Sequence, residues 1–426
     1  MGANTDHMQK RWIDNRVLVP VLCGLVQVLD GYDLATVGFA VPSIAREWGL
    51  APEAFTQAFA FSSIGIMIGA LVAGPLGDRF GRRPMILISV LLFGLSSLAT
   101  AHATSVWMLV VLRFLTGLGM GGAMPTTVAL TGDAVPEKWR TAAITFMFCG
   151  ASFGSFAAGQ VAAMILPSWG WQGMFLTGGA LPLAIFPVLF ALLQESSAFR
   201  ASAKTRNPIG GLFQNGLAAT TLLLWSIFLA NLFTMYLLGA WVPTFITLDG
   251  TTPAEAAHAA SFYPVAGMFS TFLVGYALSR FNAERVLAAN LAIAVIALIF
   301  LGKVHFSGFA LCAMLFAMGW GIVGSMLGLI GLAGTLYPAH LRATGTGWAM
   351  GVGRLGGILG PIAGGTLIHA GYAPSSIMLL LACPTAAVVL AILMLRRVRG
   401  AGDVRETAED PQSQLALERQ IGSTRA

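Results

Sequence analysis

Gly74-Pro75-Leu76-Gly77-Asp78-Arg79-Phe80-Gly81-Arg82-Arg83 stands between two long apolar runs, and its outline returns 201 residues later as Gly275-Tyr276-Ala277-Leu278-Ser279-Arg280-Phe281. A second echo is offset by 202 residues: Val135-Pro136-Glu137-Lys138-Trp139-Arg140 against Tyr337-Pro338-Ala339-His340-Leu341-Arg342. Two matches at nearly one offset imply a duplicated unit. Outward from these loops the chain is apolar almost throughout. Of its 426 residues 56% are hydrophobic and only 10% charged, where soluble domains carry roughly 25% charged residues. So few charges cannot furnish a water-facing surface.

Runs of about 20 apolar residues cross a bilayer as helices. They fall at 17–38, 55–75, 85–103, 106–130, 141–165, 171–193, 218–247, 259–279, 285–303, 307–336, 344–369 and 373–396. The pattern predicts an all-α integral membrane protein of about twelve transmembrane helices in two pseudo-symmetric six-helix bundles. The expected organisation is a polar N-terminal segment (1–16), a first bundle (17–193), a basic linker (194–216), a second bundle (217–399) and a tail without fixed structure (400–426). Trp107, Trp169, Trp171 and Trp241 stand near span ends, where an interfacial aromatic belt is expected.

Of the 24 Lys and Arg residues, Arg113 and Arg354 lie within spans, and Arg46 and Lys303 lie in loops after odd-numbered spans. The other 20 are at the termini or in loops after even-numbered spans. Positive loops mark the cytoplasmic side, so both termini are expected there, in the cell's inner (plasma) membrane. This asymmetry also accounts for the net charge of +6 without nucleic-acid binding. No metal-ligand cluster, P-loop or nucleophile elbow occurs, and the loops are too short to house an active site. Neither an enzyme nor a cofactor or metal site is expected.

An ionised side chain at membrane depth costs about 2.5–3.5 kcal/mol on insertion scales, so those that occur there need a reason. Asp30, Asp33, Arg113 and Arg354 lie well inside spans, and Asp133 lies at the end of the fourth. Asp30 and Asp33 are one helical turn apart on one face. They are expected to titrate as a unit and to carry a proton, with Gly31 loosening the helix between them; the alternative is a structural ion pair with Arg113. Arg354 has no acidic partner in its own half's spans and offers a planar fork to an anion. For Arg113 an anion and a helix tie are both open. Tyr32, Asn231, Tyr236 and Gln27 are candidate polar groups for a central cavity.

The loop at 74–83 resembles the signature of the major facilitator superfamily. Leu29-Asp30-Gly31-Tyr32-Asp33, Arg113 with the glycine-rich run to Pro125, and Gly353-Arg354-Leu355-Gly356 are similar to the aromatic acid:proton symporter family, whose commoner form has Phe at the place of Tyr32. The resemblance implies the major facilitator fold and rocker-type uptake of a benzoate-, hydroxybenzoate- or phenylpropionate-type acid with protons. The proton gradient would be the energy source, and the carrier would work as a monomer. It also implies a conformational latch at Gly74, Asp78, Arg79, Gly81, Arg82 and Arg83, with Asp133, Arg140 and Arg342 in the neighbouring loops. The second half departs from the pattern, with Ser279 at the place of Asp78. A non-aromatic acid such as a muconate-like dicarboxylate, or drug efflux by proton exchange, are the competing functions. Against efflux, the Gly-x-x-x-Gly-Pro-x-x-Gly-Gly run usual in the fifth span of such exporters is found here in the eleventh, at Gly356, Gly360-Pro361 and Gly364-Gly365.

Overall fold

The computed structural model describes residues 3–195, 209–214, 216–338 and 341–409. Among these residues the regular structure is wholly helical, in the order α1 (Ala3–Trp48), α2 (Thr56–Phe80), α3 (Arg82–Thr100), α4 (Val106–Ala134), α5 (Glu137–Leu192), α6 (Ala218–Leu248), α7 (Pro253–Ala260), α8 (Phe262–Leu278), α9 (Ala283–Lys303), α10 (Gly308–Ile322), α11 (Ser325–Leu336), α12 (Arg342–His369) and α13 (Pro374–Glu409).

Ten described stretches are long and apolar enough to cross a membrane. One of them, α5, has 56 residues, which at 1.5 Å per residue would be about 84 Å, far beyond a ~30 Å hydrocarbon core. It breaks at Gly170, whose backbone (φ 61°, ψ −168°) is left-handed, a conformation glycine adopts without penalty. Both ends of α5 return to the same place. Arg140 Nε donates to the Gly132 carbonyl near the close of α4 (3.1 Å), Arg82 pairs with neighbouring Asp133, and the Arg82 amide donates to Glu195 just beyond α5 (3.0 Å). At the break, Trp171 Nε1 instead reaches Glu47 near the last turn of α1 (2.9 Å). Two antiparallel passes result. α12 is long enough for another pass, but nine glycines and Arg354 dilute its apolar character. The expectation of twelve passes and the ten apolar stretches differ at these two helices, for these reasons.

The duplication is visible in the packing. In the first half α1 packs on α5, α2 on α4 and α3 on α5; in the second, α6 packs on α12, α8 on α10 and α9 on α13. The α1–α5 crossing is made by glycines on both sides. A Cβ on Gly31 would strike the Ala151 carbonyl, and one on Gly154 the Val28 carbonyl. Gly31 sits in unbroken helix, so it serves close approach and does not loosen α1 as expected. The α6–α12 crossing repeats the device, with Gly356 against the Leu229 carbonyl and Gly360 against that of Phe233. Such small-residue contacts are what drive helix association where lipid is as apolar as the side chains.

The basic end, marked by Arg82, Arg140, Arg280 and Arg342, differs from the far end. At the far end one continuous core joins the halves, with Val37, Phe39 and Phe59 of the first against Trp241, Phe245 and Tyr263 of the second. Gln160 Nε2 donates across the halves to Ser261 Oγ (2.7 Å). Toward the basic end each half keeps its own core, around Ile86, Val90 and Leu189 in the first and around Leu224, Leu291 and Ile392 in the second. The molecule is therefore sealed at one end and parted at the other.

Several local expectations are corrected. α1 continues past residue 38 to Trp48, with Gly38 and Pro42 inside the helix, and stops at Gly49, whose φ is 64°. The backbone of α13 is helical to Glu409, beyond the expected start of the tail at 400, and after Pro384 no proline occurs before Pro411; residues 410–426 lie outside the described residues. So do linker residues 196–208. Within the linker Ile209–Phe213 forms a short turn, anchored by buried Leu212, whose carbonyl accepts from Thr221 Oγ1 (2.7 Å). Trp107 and Trp169 are exposed as a belt requires, but Trp171 and Trp241 are buried, because each N–H finds an internal acceptor: Glu47 for Trp171 and the Pro361 carbonyl for Trp241 (2.9 Å).

Gly154→Ala should lower the melting temperature of detergent-solubilised protein by several degrees, because the new methyl displaces a backbone carbonyl. Gly351→Ala, which meets open space, should leave it unchanged or raise it, as Ala favours helix by about 0.8–1 kcal/mol over Gly.

Candidate functional site

The four intramembrane charges fall into two groups of different kind. Asp33 on α1 and Arg113 on α4 are 0% and 1% exposed, with Arg113 Nη1 3.0 Å from Asp33 Oδ2. Ser97 Oγ of α3 donates to Asp33 Oδ1 (2.5 Å). Arg113 Nη2 donates to Thr100 Oγ1 (3.0 Å), and the guanidinium carbon lies 5.0 Å from the Phe175 ring centre in the second pass of α5. A buried ion pair is tolerable when further hydrogen bonds support it; here α1, α3, α4 and α5 all contribute, and Arg113 Nε is left without a partner among the described residues. Arg113 is thus occupied as a helix tie and does not line the central cavity.

Asp30 is placed otherwise. Its Oδ1 is buried and has no hydrogen-bond partner among the described residues, and the residue lines the space between the halves. The two aspartates share a helix face, yet one is locked and the other is not, which separates the expected proton-sharing pair into unlike members. Within electrostatic reach of Asp30 lies Arg354 of α12. Arg354 Nη1 donates to Tyr236 Oη (3.1 Å) and Nη2 to the sulfur of Met124 in the other half (2.9 Å). A thioether is a weak acceptor, so this guanidinium is poorly satisfied.

These residues line two adjoining chambers of about 180 Å³ each, with Asp30, Ser152, Tyr236 and Val323 among the residues common to both. Together the chambers reach the low end of the roughly 300–1,000 Å³ usual for small-molecule sites. One contains Arg354, Gln27 and Met124; the other runs toward the sealed end past Phe39, Phe59 and Tyr263. Among the described residues Asp30 is the one carboxylate and Arg354 the one cation in either lining. A larger cleft, about 1030 Å³, lies at the far end against Lys303 and His305. It holds none of the four intramembrane charges, so the central chambers are the better site.

Of the sequence candidates, Tyr236 and Gln27 line the chambers. Tyr32 and Asn231 do not. Tyr32 Oη is bonded to Thr177 Oγ1 (2.8 Å), and Asn231 is buried beside Met326, 3.9 Å from its sulfur. Met124 and Ser152 were not singled out by sequence, since neither carries charge or an unusual spacing.

The loop residues also divide. Arg82 pairs with Asp133 and donates to the Ala129 carbonyl (3.1 Å). The amides of Arg82 and Arg83 both donate to Glu195 (3.0 and 3.1 Å), a residue sequence did not single out. Arg83 reaches the Phe190 carbonyl (2.5 Å), and Arg140 that of Gly132. Gly81 follows α2 with φ 105°, while Gly74 lies within that helix. All these ties stay inside the first half. Asp78, Arg79 and Arg342 are exposed, and no polar partner of Asp78 is found among the described residues.

Residues 23–299 and 224–423 match the family model described as Major Facilitator Superfamily. The chain is 35% identical over 421 residues to the Gallate transporter of Pseudomonas putida, covering 90% of this chain and 94% of the relative. It is 33% identical over 409 residues to the 4-hydroxybenzoate transporter PcaK of Pseudomonas aeruginosa, covering 88% of this chain and 91% of the relative. Among solved structures the D-xylose-proton symporter aligns with a TM-score of 0.71 at 17% identity, over 88% of this chain and 96% of that one, a likeness of fold.

Arg113→Leu should destabilise the protein by about 3–5 kcal/mol, the cost of leaving one buried charge unpaired, and thermal unfolding in detergent would show it. Arg113→Leu combined with Asp33→Leu should recover part of the loss; a double variant less stable than the single would contradict the tie.

Proposed function

The chain belongs to the major facilitator superfamily, and we propose that it imports a small aromatic carboxylate by proton symport. A transporter rather than an enzyme is the coarse function that membership gives; the substrate class and the coupling are the proposal. The substrate class is supported by relatives named for gallate and 4-hydroxybenzoate.

One observation carries the coupling: a carboxylate with an unpartnered oxygen, Asp30, and a weakly satisfied guanidinium, Arg354, line the same chambers from opposite halves. A benzoate-type acid is an anion at neutral pH, its carboxyl titrating near the reference range of about 4. Arg354 can hold it through a bidentate fork. An ionised Asp30 competes for the same cation and repels the arriving anion. A proton on Asp30 removes both obstacles, so anion and proton bind best together. Asp33, being locked by Arg113 and Ser97, does not exchange its proton partner in this scheme. One carboxylate then carries one proton per monoanion, and transport is electroneutral.

Alternating access would proceed by rocking of the two halves about the central site. The basic end is taken as cytoplasmic from its Lys and Arg excess, with both termini inside and the present arrangement open inward. Asp78 is the latch residue proposed to engage the second half when that end closes, while Arg82, Arg83, Asp133 and Arg140 hold the loop in shape. The proton gradient is the energy source, no cofactor takes part, and a monomer in the inner membrane is sufficient.

In proteoliposomes an alkaline interior should drive accumulation of benzoate or 4-hydroxybenzoate, and a membrane potential without a pH gradient should not. Asp30→Asn should abolish accumulation while counterflow survives. Arg354→Lys should weaken binding about tenfold or more, since charge-assisted hydrogen bonds are worth about 1.5–3 kcal/mol. Uptake driven by potential alone would overturn the electroneutral scheme.

A further inference from the structure

The chamber that contains Arg354 is lined by Met120, Met124, Met235, Met268, Met326 and Met350. That is six of the chain's 18 methionines around one small space, contributed by α4, α6, α8, α11 and α12. Five of the six are only half-buried despite their depth in the bundle, so their side chains face the chamber. Phe148 and Tyr236 are the aromatic residues in this lining. Nothing in the proton and carboxylate chemistry requires sulfur here. Leucine would line an apolar slot equally well and is abundant elsewhere in the chain.

Methionine differs from leucine in two ways that bear on a ligand. It is unbranched and adapts its shape to irregular contents, and its polarizable sulfur makes favourable contacts with aromatic rings at about 5 Å. A carboxylate fixed on Arg354 leaves the rest of a small acid against these side chains, because they surround the guanidinium from both halves. Resting on the carrier reading above, we infer that the methionine wall is the specificity-determining surface for the ring. It selects an aromatic over a saturated ring and tolerates substituents on it. The carboxylate is recognised by a rigid fork and the ring by a soft wall, so selectivity resides in the presence of a π-face and not in the pattern of ring groups.

The test is displacement of radiolabelled benzoate from the purified full-length protein. Cyclohexanecarboxylate has the same carboxylate and similar size without a π-face. In the wild type it should compete at least about tenfold more weakly than benzoate, while benzoates bearing 4-hydroxy, 4-amino, 4-chloro or 3-methyl groups should fall within about tenfold of one another. Met268→Leu, Met326→Leu and Met350→Leu together conserve volume, which cores tolerate well, and none of the three accepts from Arg354. In this triple variant the benzoate preference should fall at least about fourfold, as each sulfur–ring contact accounts for about two- to tenfold. Wild-type thermal stability of the variant shows that it is folded; should it fail to fold, the single changes are measured and each should lower the ratio. An unchanged ratio with binding retained would overturn the wall and leave the carrier reading intact, as would a hundredfold preference for one substituent pattern. Failure of every acid to displace the label would overturn both.

Discussion

The ion pair of Asp33 with Arg113, 3.0 Å long and closed to solvent, is the interaction on which the central architecture depends. It ties α1 to α4 and, through Ser97, Thr100 and Phe175, to α3 and the second pass of α5. In a medium that does not solvate charge, such an ion pair stands only when further hydrogen bonds back it. Closed to solvent, with Arg113 Nε alone of its polar atoms unpartnered among the described residues, it fixes the rotation of α1 about its axis, and that rotation aims Asp30 at the interface between the halves. The unlike fates of two carboxylates one turn apart follow: one is consumed by structure and the other is left available for chemistry.

The two halves are asymmetric in how they use charge. The first supplies the acid and its locked neighbour; the second supplies Arg354 with only Tyr236 and a methionine sulfur as partners. One continuous core joins the halves at the far end and separate cores serve the basic end, and the chambers lie between the two halves. Glycine-lined crossings at α1–α5 and α6–α12 bring the helices of each bundle into backbone contact, as the proposed rocking of the halves as bodies requires.

What sequence made legible was what it marks chemically. Charges inside apolar runs stand out, and the basic loops and their repeat locate the halves. Which charges meet could not be read, because the partners of Asp33 come from positions 64 and 80 residues away, while helical spacing places Asp30 and Asp33 together. Gly31 looked like a flexible point because nothing in the sequence shows α5 crossing there. Trp241 looked interfacial because proximity to a span end does not reveal that the Pro361 carbonyl waits inside. The methionine wall was invisible for a similar reason: each residue is an ordinary apolar member of its own helix, and only the convergence of five helices makes them a surface.

Proton uptake on binding addresses the central claim most directly. In weakly buffered solution, purified protein near neutral pH is mixed with saturating benzoate and the pH change is recorded. The account requires close to one proton taken up per anion bound in the wild type, falling to near zero in Asp30→Asn with the anion still bound, and undiminished in Asp78→Asn, which lies outside the site. Binding without proton uptake in the wild type, or full uptake in Asp30→Asn, would contradict the assignment of Asp30 as the proton carrier.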